Sequence, residues 1–263
     1  MSRPVFRADP GTLGAAAPGA EVVVTGPEAR HALTVRRLGA GDGLELVDGH
    51  GLRAAGTVTG AERERMTVRV DAVAAEPVRT PRLVLAQALA KGERDLLAVE
   101  TATELGADAV VPWQAERSIV RWRRERAAKS HEKWVHTVAA AAKQSRRAAW
   151  PEVAPLASTE DLAGRAARPG TLALVLHEDA ERALVELLAP APGTPDEVLA
   201  GAEEVLLVVG PEGGIAPAEL ERLGAAGALP VRLGREVLRS STAGPAALAV
   251  LAALLGRWAG GDA

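Results

Sequence analysis

Residues 1–75 alternate short apolar runs with turns that are rich in glycine and aspartate. An apolar and polar alternation over about four to eight residues is typical of half-buried strands. The pattern predicts a short helix over residues 28–38 and four strands, over residues 22–25, 43–47, 53–58 and 66–70. Several short strands at this spacing predict a small β-barrel.

The pattern changes after residue 81. Residues 76–81 contain two prolines and no periodic apolar run, which indicates a linker. From residue 82 to 263, buried-strand patterns alternate with helical periodicity, which predicts an α/β domain with a mostly parallel sheet. The predicted strands are 83–87, 109–113, 172–177, 205–209 and 231–233. The predicted helices are 94–105, 125–146, 180–188, one that begins near Pro217, and 242–258, with a loop over 190–203.

Three of these strands end in residues that are unusual for simple turns. The segments are Leu176-His177-Glu178, Gly210-Pro211-Glu212-Gly213-Gly214, and Leu233-Gly234-Arg235 with the following Leu238-Arg239-Ser240-Ser241-Thr242. Ligands of open α/β sheets bind beyond the carboxyl ends of the strands, and glycines let a backbone approach a ligand closely. The sequence therefore predicts a site for a planar, polar ligand, with a tight structural turn as the alternative. Dinucleotide and P-loop fingerprints are absent, which argues against NAD and ATP.

Charge is distributed unevenly along the chain. The net charge is −3, yet residues 76–150 carry 14 basic and 9 acidic side chains, whereas residues 151–263 carry 8 and 16. Residues 117–147, called the basic block below, contain ten Lys or Arg and two acidic residues. Such a block predicts a surface that faces a polyanion, with a solvated helix face as the alternative.

Composition excludes several classes of chemistry. The chain has no cysteine, which rules out disulfides, thiolate catalysis and cysteine-bound metal centres. We expect no metal site. The first residues have no signal-peptide pattern, and no charge-free stretch reaches membrane-spanning length. These patterns predict a cytoplasmic protein.

Ordered motifs along nearly the whole chain resemble those of a known family. In the C-terminal half they are Gly210-Pro211-Glu212-Gly213-Gly214-Ile215, Glu219, Leu233-Gly234, Leu238-Arg239 and Thr242-Ala243. Upstream they are Ala86-Gln87-Ala88-Leu89, Lys91-Gly92, residues 102–106, Glu116-Arg117-Ser118, Trp134 and residues 142–147. Residues 31–36 and Asp48-Gly49 complete the set. In this order the blocks resemble the RsmE family of 16S rRNA uracil-N3 methyltransferases, which belongs to the knotted SPOUT superfamily.

The resemblance implies both a fold and a function. Residues 1–75 are expected to form a PUA-like RNA-binding barrel, and residues 82–263 a SPOUT methyltransferase domain with a C-terminal trefoil knot. The implied reaction is S-adenosylmethionine-dependent methylation of N3 of a uridine in 16S rRNA, at uridine 1498 of helix 44 in the decoding region. The small ribosomal subunit is the implied partner, and a homodimer the implied assembly.

Two alternatives stay open at this point. The first is a non-catalytic RNA-binding ribosome-assembly factor of the same fold. Its support is Ser241, which stands where many relatives carry an acidic residue. The second is a nucleotide- or phosphate-binding α/β enzyme of another family.

The resemblance also assigns the candidate site residues. The cofactor is expected to contact His177, Gly210, Pro211, Glu212, Gly213, Gly214, Leu233, Gly234, Val237, Leu238, Arg239, Ser240 and Thr242. RNA is expected to contact His31, Arg36, Arg37, Lys91, Arg94, Gln144, Ser145, Arg146 and Arg147. Arg239 and Arg147 are the candidate catalytic residues, because a guanidinium stabilises the negative charge that develops when uracil loses its N3 proton.

Several candidate residues have competing structural explanations. Arg239 is otherwise a surface charge, residues 144–147 otherwise end a helix favourably, and His31 and Arg36 otherwise pack the barrel. Trp134 is expected in the core rather than in base stacking. His177 either contacts the cofactor or merely ends a strand. Glu212 either caps the next helix or orients a ligand amine.

Overall fold

The computed structural model describes residues 3–123, 125–188, 199 and 201–259. Their contacts divide the chain into two compact units. Unit 1 comprises Met1–Val78 and Ala142–Trp150, and unit 2 comprises Arg79–Ala141 and Pro151–Ala263. The sequence pattern places residues 142–150 in the C-terminal domain, so it did not predict their membership of unit 1. The predicted loop over residues 190–203 lies mostly outside the described residues.

The described part of unit 1 is built on a five-stranded sheet of order β1-β3-β4-β5-β2. Its strands are β1 (Val5–Arg7), β2 (Glu21–Thr25), β3 (Gly43–Val47), β4 (Leu52–Glu62) and β5 (Arg65–Ala75). β1 pairs in parallel with β3, and the other pairs are antiparallel. All four predicted strands are present, and β4 and β5 are longer than predicted. β1 has only three residues, which is too short for an alternation to stand out.

The predicted helix over residues 28–38 is wrong in its extent. The structure has helix α1 (Gly26–Arg30), followed by a π-helical turn over His31–Val35. The helix begins earlier because Pro27 occupies its first turn, where the fixed φ of proline is favourable. It ends earlier because Arg37 adopts a left-handed φ of 55°, which no helix continues.

Residues 142–150 are held in unit 1 by several contacts. The Trp150 backbone N–H donates to the Gly49 carbonyl at 2.9 Å. The Arg53 guanidinium donates to the Arg146 carbonyl at 2.7 Å. The Arg7 guanidinium lies 4.5 Å from the centre of the Trp150 ring, which is a cation–π distance. The end of the basic block is therefore part of the same folded unit as the small sheet.

The described part of unit 2 contains a six-stranded sheet of order β11-β9-β10-β6-β7-β8. Its strands are β6 (Arg82–Ala88), β7 (Ala109–Trp113), β8 (Glu152–Val153), β9 (Thr171–Leu176), β10 (Glu204–Val209) and β11 (Leu229–Val231). Every strand pair is parallel, as the alternating pattern predicted. The two-residue β8 was not predicted, and β11 begins two residues before its predicted position.

Helices cover both faces of this sheet. They are α2 (Arg94–Glu104), α3 (Glu125–Gln144), α4 (Thr159–Ala166), α5 (Leu184–Leu188), α6 (Pro217–Ala225) and α7 (Ser240–Leu254). Sequence reasoning missed α4, although Ser158 and Asp161 form a reciprocal capping box at its start. α5 begins four residues later than predicted, because Ala183 still pairs with Arg232 as an isolated β-bridge. No helix in the described ranges is long and apolar enough to cross a membrane.

The core of unit 2 has two parts, one on each face of the sheet. One part packs Leu85 and Leu207 against side chains of α7 such as Leu248 and Leu251. It also contains Trp134, which is 1% exposed and meets Trp122 edge to face at 5.8 Å. The core role predicted for Trp134 is confirmed. The other part packs the opposite side of the strands against α4 and α6.

Candidate functional site

A cavity of about 340 Å³ lies at the carboxyl ends of β9 and β10. Its wall is formed by Arg94, Leu176, His177, Glu178, Val209, Gly210, Pro211, Glu212, Gly214, Ile215, Val237, Leu238, Arg239, Ser240 and Ala243. A second cavity, of about 320 Å³, shares Leu176, His177, Glu178, Val237, Leu238 and Ala243 with the first. Leu233 and Gly234 line the second cavity only. These strand ends therefore form a concavity, while its use as a ligand site stays a prediction.

Most residues predicted to contact the cofactor lie on these walls. His177, Gly210, Pro211, Glu212, Gly214, Arg239 and Ser240 line the first cavity, and Leu233, Gly234, Val237 and Leu238 line the second. Gly213 and Thr242 are not among the described lining residues of either cavity. The Thr242 N–H instead donates to the Arg239 carbonyl at 2.8 Å, which closes the first turn of α7.

The glycines of the loop over residues 210–214 serve different purposes. A Cβ on Gly210 would lie 2.6 Å from Cγ1 of Ile215, so packing inside the loop demands glycine there. Gly214 has a φ of 74°, which side-chain-bearing residues rarely adopt. A Cβ on Gly213 would lie 3.3 Å from Cβ of Arg117. Gly213 is therefore packed against Arg117, and its contact with the cofactor stays a prediction.

Glu212 does not cap the next helix, and its predicted contact with a ligand amine stays a prediction. Its carboxylate pairs with the Arg94 guanidinium at 3.0 Å and accepts the Lys91 N–H at 3.3 Å. The next helix is capped instead by Glu219, which accepts the Ala216 N–H at 3.2 Å. Lys91 and Arg94, which were predicted to bind RNA, thus lie beside residues predicted to bind the cofactor.

His177 ends a strand, which is one of its two predicted roles, while its contact with the cofactor stays a prediction. It directly follows the last residue of β9, and its N–H donates to the Val231 carbonyl at 3.0 Å. His177 also lines both cavities. Nδ1 accepts the Asp179 N–H at 3.2 Å, so a neutral ring carries its proton on Nε2.

The start of α7 completes the first cavity. The Ser240 Oγ is buried there, and among the described residues it has no hydrogen-bond partner. Arg239 is exposed just before the helix. Ser241 is 7% exposed and is not among the described lining residues.

The models of two protein families match this chain. An RNA methyltransferase domain matches residues 78–252, and an RNA methyltransferase PUA domain matches residues 24–71. The Ribosomal RNA small subunit methyltransferase E of Mycobacterium tuberculosis is 44% identical over 243 residues, which cover 91% of this chain and 89% of that protein. This chain belongs to the ribosomal RNA small subunit methyltransferase E family.

Solved structures of similar proteins agree with this family. Ribosomal RNA small subunit methyltransferase E from Neisseria gonorrhoeae, bound to S-adenosyl methionine, has 26% identity and a TM-score of 0.79. The similarity covers 96% of this chain and 98% of that one. A Legionella pneumophila protein in complex with bound SAM gives 27% identity and the same TM-score and coverage. The predicted SPOUT-type fold with a PUA-like domain is confirmed, while the trefoil knot and the exact domain boundaries stay predictions.

The remaining RNA-binding residues predicted from the family motifs lie in unit 1. His31 opens the π-helical turn, with its ring 6.0 Å from that of Phe6, and Arg36 and Arg37 are exposed directly after it. Residues 144–147 lie at and just beyond the end of α3. An ion pair between Lys143 and Glu28 links this end of α3 to α1. The structure therefore gathers these RNA-binding candidates on one unit.

Asp95, in the first turn of α2, is a buried acidic residue that none of the family motifs includes. Its side chain is 7% exposed, and one carboxylate oxygen accepts the Leu96 N–H at 3.0 Å. Burial raises the pKa of the Asp95 carboxyl, while hydrogen bonds from the backbone N–H groups and from Trp134 oppose the rise. No group of three or more His, Asp or Glu side chains in the described ranges is suited to a metal ion.

Asp95→Asn is expected to remove one pH-dependent part of the stability. A raised pKa means that the folded protein holds this proton more tightly than the unfolded chain does. The contribution is therefore fully present below the unfolded-state value of 3.8 and is lost as pH rises through the folded-state pKa. Urea unfolding over a pH series should show the wild type losing stability relative to Asp95→Asn as pH rises. Parallel pH profiles for the two proteins would contradict the assignment.

Proposed function

We propose that this chain transfers the methyl group of S-adenosylmethionine to N3 of a uridine in 16S rRNA. The names of its relatives support the methylation of small-subunit rRNA. The uracil N3 atom and uridine 1498 rest on the motif resemblance alone. The observation that carries the proposal is the cavity at the ends of β9 and β10, whose wall contains most of the residues predicted to contact the cofactor.

The wall of the cavity fits this cofactor chemically. S-adenosylmethionine combines a planar base, ribose hydroxyls and a charged amino-acid end. Leu176, Leu238 and Ile215 offer apolar surface for the base, beside the loop over 210–214. The buried Ser240 Oγ can hydrogen-bond to a polar ligand group, and the Glu178 carboxylate suits hydroxyl or ammonium donors.

The chain contributes position and charge to the reaction. The bound cofactor supplies a methyl group on a positively charged sulfur, which is already a reactive donor. Methylation at N3 requires the loss of the N3 proton, which leaves negative charge on the uracil oxygens. Arg239 lies on the cavity wall, and no described carboxylate pairs with its guanidinium. We assign the stabilisation of this charge to Arg239, with Arg147 of unit 1 as the second candidate.

Binding of RNA is proposed for unit 1, and salt dependence tests it. The double variant Arg36→Ala, Arg37→Ala should bind small-subunit rRNA more weakly. Each phosphate contact that is lost reduces the number of counterions that binding releases. The slope of log affinity against log salt should become shallower by roughly 0.7–0.9 per lost contact. The matched control is Arg63→Ala, Arg65→Ala, which removes two exposed arginines of the β4–β5 hairpin. Equal slopes for both double variants would contradict a specific role of Arg36 and Arg37.

A homodimer is proposed from exposed apolar side chains of unit 2. Leu248 and Leu251 of α7 are buried in the core, whereas Leu97 of α2 is 52% exposed and Trp258 is 54% exposed. Large exposed apolar side chains of this kind favour a contact with another chain. A two-fold contact between copies would cover them on both protomers. Sedimentation at micromolar concentration measures this directly.

The decisive experiment for the function is methylation of purified small ribosomal subunits that lack the modification. We expect labelled methyl groups from S-adenosylmethionine to appear at N3 of one uridine, and the reaction to belong to the cytoplasm. Isothermal titration with the cofactor is run in parallel. Binding of RNA without any methyl transfer would favour the assembly-factor alternative. Methylation at another atom would leave the enzyme class in place and overturn the uracil-N3 assignment.

A further inference from the structure

Glu219, in the first turn of α6, joins three segments of unit 2. Its side chain is 6% exposed. Oε1 accepts the Glu116 N–H at 2.9 Å and the Thr159 hydroxyl at 2.7 Å, while Oε2 accepts the Ala216 N–H at 3.2 Å. Burial of a carboxylate is costly unless its oxygens are hydrogen-bonded, and here both oxygens are. The carboxylate therefore holds the loop after β7 against the residues that leave the loop over 210–214.

Arg117, the residue after Glu116, contacts the loop over 210–214 itself. Its Nη1 donates to the Gly213 carbonyl at 3.2 Å. The absence of a side chain on Gly213 brings the two residues close, since a Cβ there would lie 3.3 Å from Cβ of Arg117. Neither Arg117 nor Glu219 is among the described residues that line the two cavities at the ends of β9 and β10. Both act on the loop from outside the cavity wall.

We propose that Arg117 and Glu219 are positioning residues that hold the loop over 210–214 in the shape that forms the cavity wall. Glu219 fixes the backbone beside Arg117, and Arg117 then binds the carbonyl in the middle of the loop. Within the loop, the Gly214 N–H donates to the Pro211 carbonyl at 2.9 Å, which closes a single turn. Loss of either outer contact leaves this turn less restrained. The inference rests on the proposed function, because cofactor affinity is one of its two measures.

The test compares Arg117→Ala, Arg117→Lys and Glu219→Gln with the control Arg123→Ala. The control removes an exposed arginine from the same connection between β7 and α3. Arg117→Ala should weaken the binding of S-adenosylmethionine about tenfold, the effect of one hydrogen bond from a charged group at a partly exposed site. Arg117→Lys should recover part of this affinity, because its ammonium still donates. Arg123→Ala should bind the cofactor as the wild type does.

Hydrogen exchange in the cofactor-free protein supplies the second measure. The Gly214 amide should exchange faster in Arg117→Ala and in Glu219→Gln, while the amides of β6 keep their wild-type rates. An equal rise in β6 would make these residues general stabilisers and overturn the proposal. Equal cofactor affinity for Arg117→Ala and Arg123→Ala would overturn it as well. A wild-type chain that binds no S-adenosylmethionine overturns the proposed function instead, and the exchange of Gly214 then decides the inference alone.

Discussion

Arg257→Ala is expected to lower the free energy of unfolding by about 3–5 kcal/mol, the usual cost of removing one partner of a buried ion pair. The Arg257 side chain is 5% exposed. Its Nη1 donates to the Asp108 carboxylate at 3.0 Å and to the Gly106 carbonyl at 3.1 Å, and its Nη2 donates to the Pro81 carbonyl. One guanidinium thus ties the residues after α7 to the segments that precede β6 and β7. Alanine would withdraw this donor from all three acceptors at once.

Urea unfolding followed by circular dichroism measures the effect of Arg257→Ala. Arg257→Lys keeps the charge and one donor, so we expect an intermediate loss. Arg168→Ala, which removes an exposed arginine after α4, serves as the control and should change the stability little. An unchanged urea midpoint for Arg257→Ala would show that Asp108 and the two carbonyls find other donors.

The second large effect concerns two glycines that lie in helices. A Cβ on Gly244, near the start of α7, would lie 2.7 Å from Cδ1 of Leu85 and 3.3 Å from Cγ2 of Val209. Gly244→Ala should therefore destabilise the protein by about 1–3 kcal/mol through overpacking. A Cβ on Gly164, in α4, would instead enter open space, with no heavy atom within 4 Å. Gly164→Ala should stabilise the protein by about 0.5–1 kcal/mol, because glycine is a poor helix former.

Thermal unfolding of both glycine variants checks this pair of predictions. The chemical change is the same, so a difference in sign isolates the close approach of α7 to β6 and β10. If both variants shift the melting temperature in the same direction, helix propensity outweighs packing at Gly244. In that case the contact between α7 and the strands is looser than the distances indicate.

The strands and most of the cavity wall could be predicted because their signals are local. Buried parallel strands read as apolar runs such as residues 205–209, and the residues after such a run must lie at the carboxyl edge of the sheet. That rule alone brought His177, Gly210 and Gly234 to one edge. The weak points were short elements such as β1 and β8, whose three and two residues carry no period.

The interactions that sequence reasoning missed join residues that are far apart along the chain. Arg117 and Gly213 are separated by 96 positions, and Glu116 and Glu219 by 103. No pattern of periodicity or capping relates such pairs, so the sequence carried no signal for the packing of Gly213 against Arg117. The same holds for Asp95, whose burial depends on the packing of α2 and not on its neighbours in sequence. Ser158 and Asp161 are a different case, because their capping box was visible in the sequence.

The membership of residues 142–150 in unit 1 has a consequence for the order in which the chain folds during synthesis. A nascent chain emerges from its amino end, and domains generally fold as they become available. The five-stranded sheet is complete once Ala75 has emerged, yet Trp150, which stacks on Arg7 and pairs with Gly49, is synthesised much later. β6 and β7 of unit 2 are translated in between. The amino-terminal unit is therefore the first to begin folding on the ribosome, but it can be finished only after part of the second unit has been made.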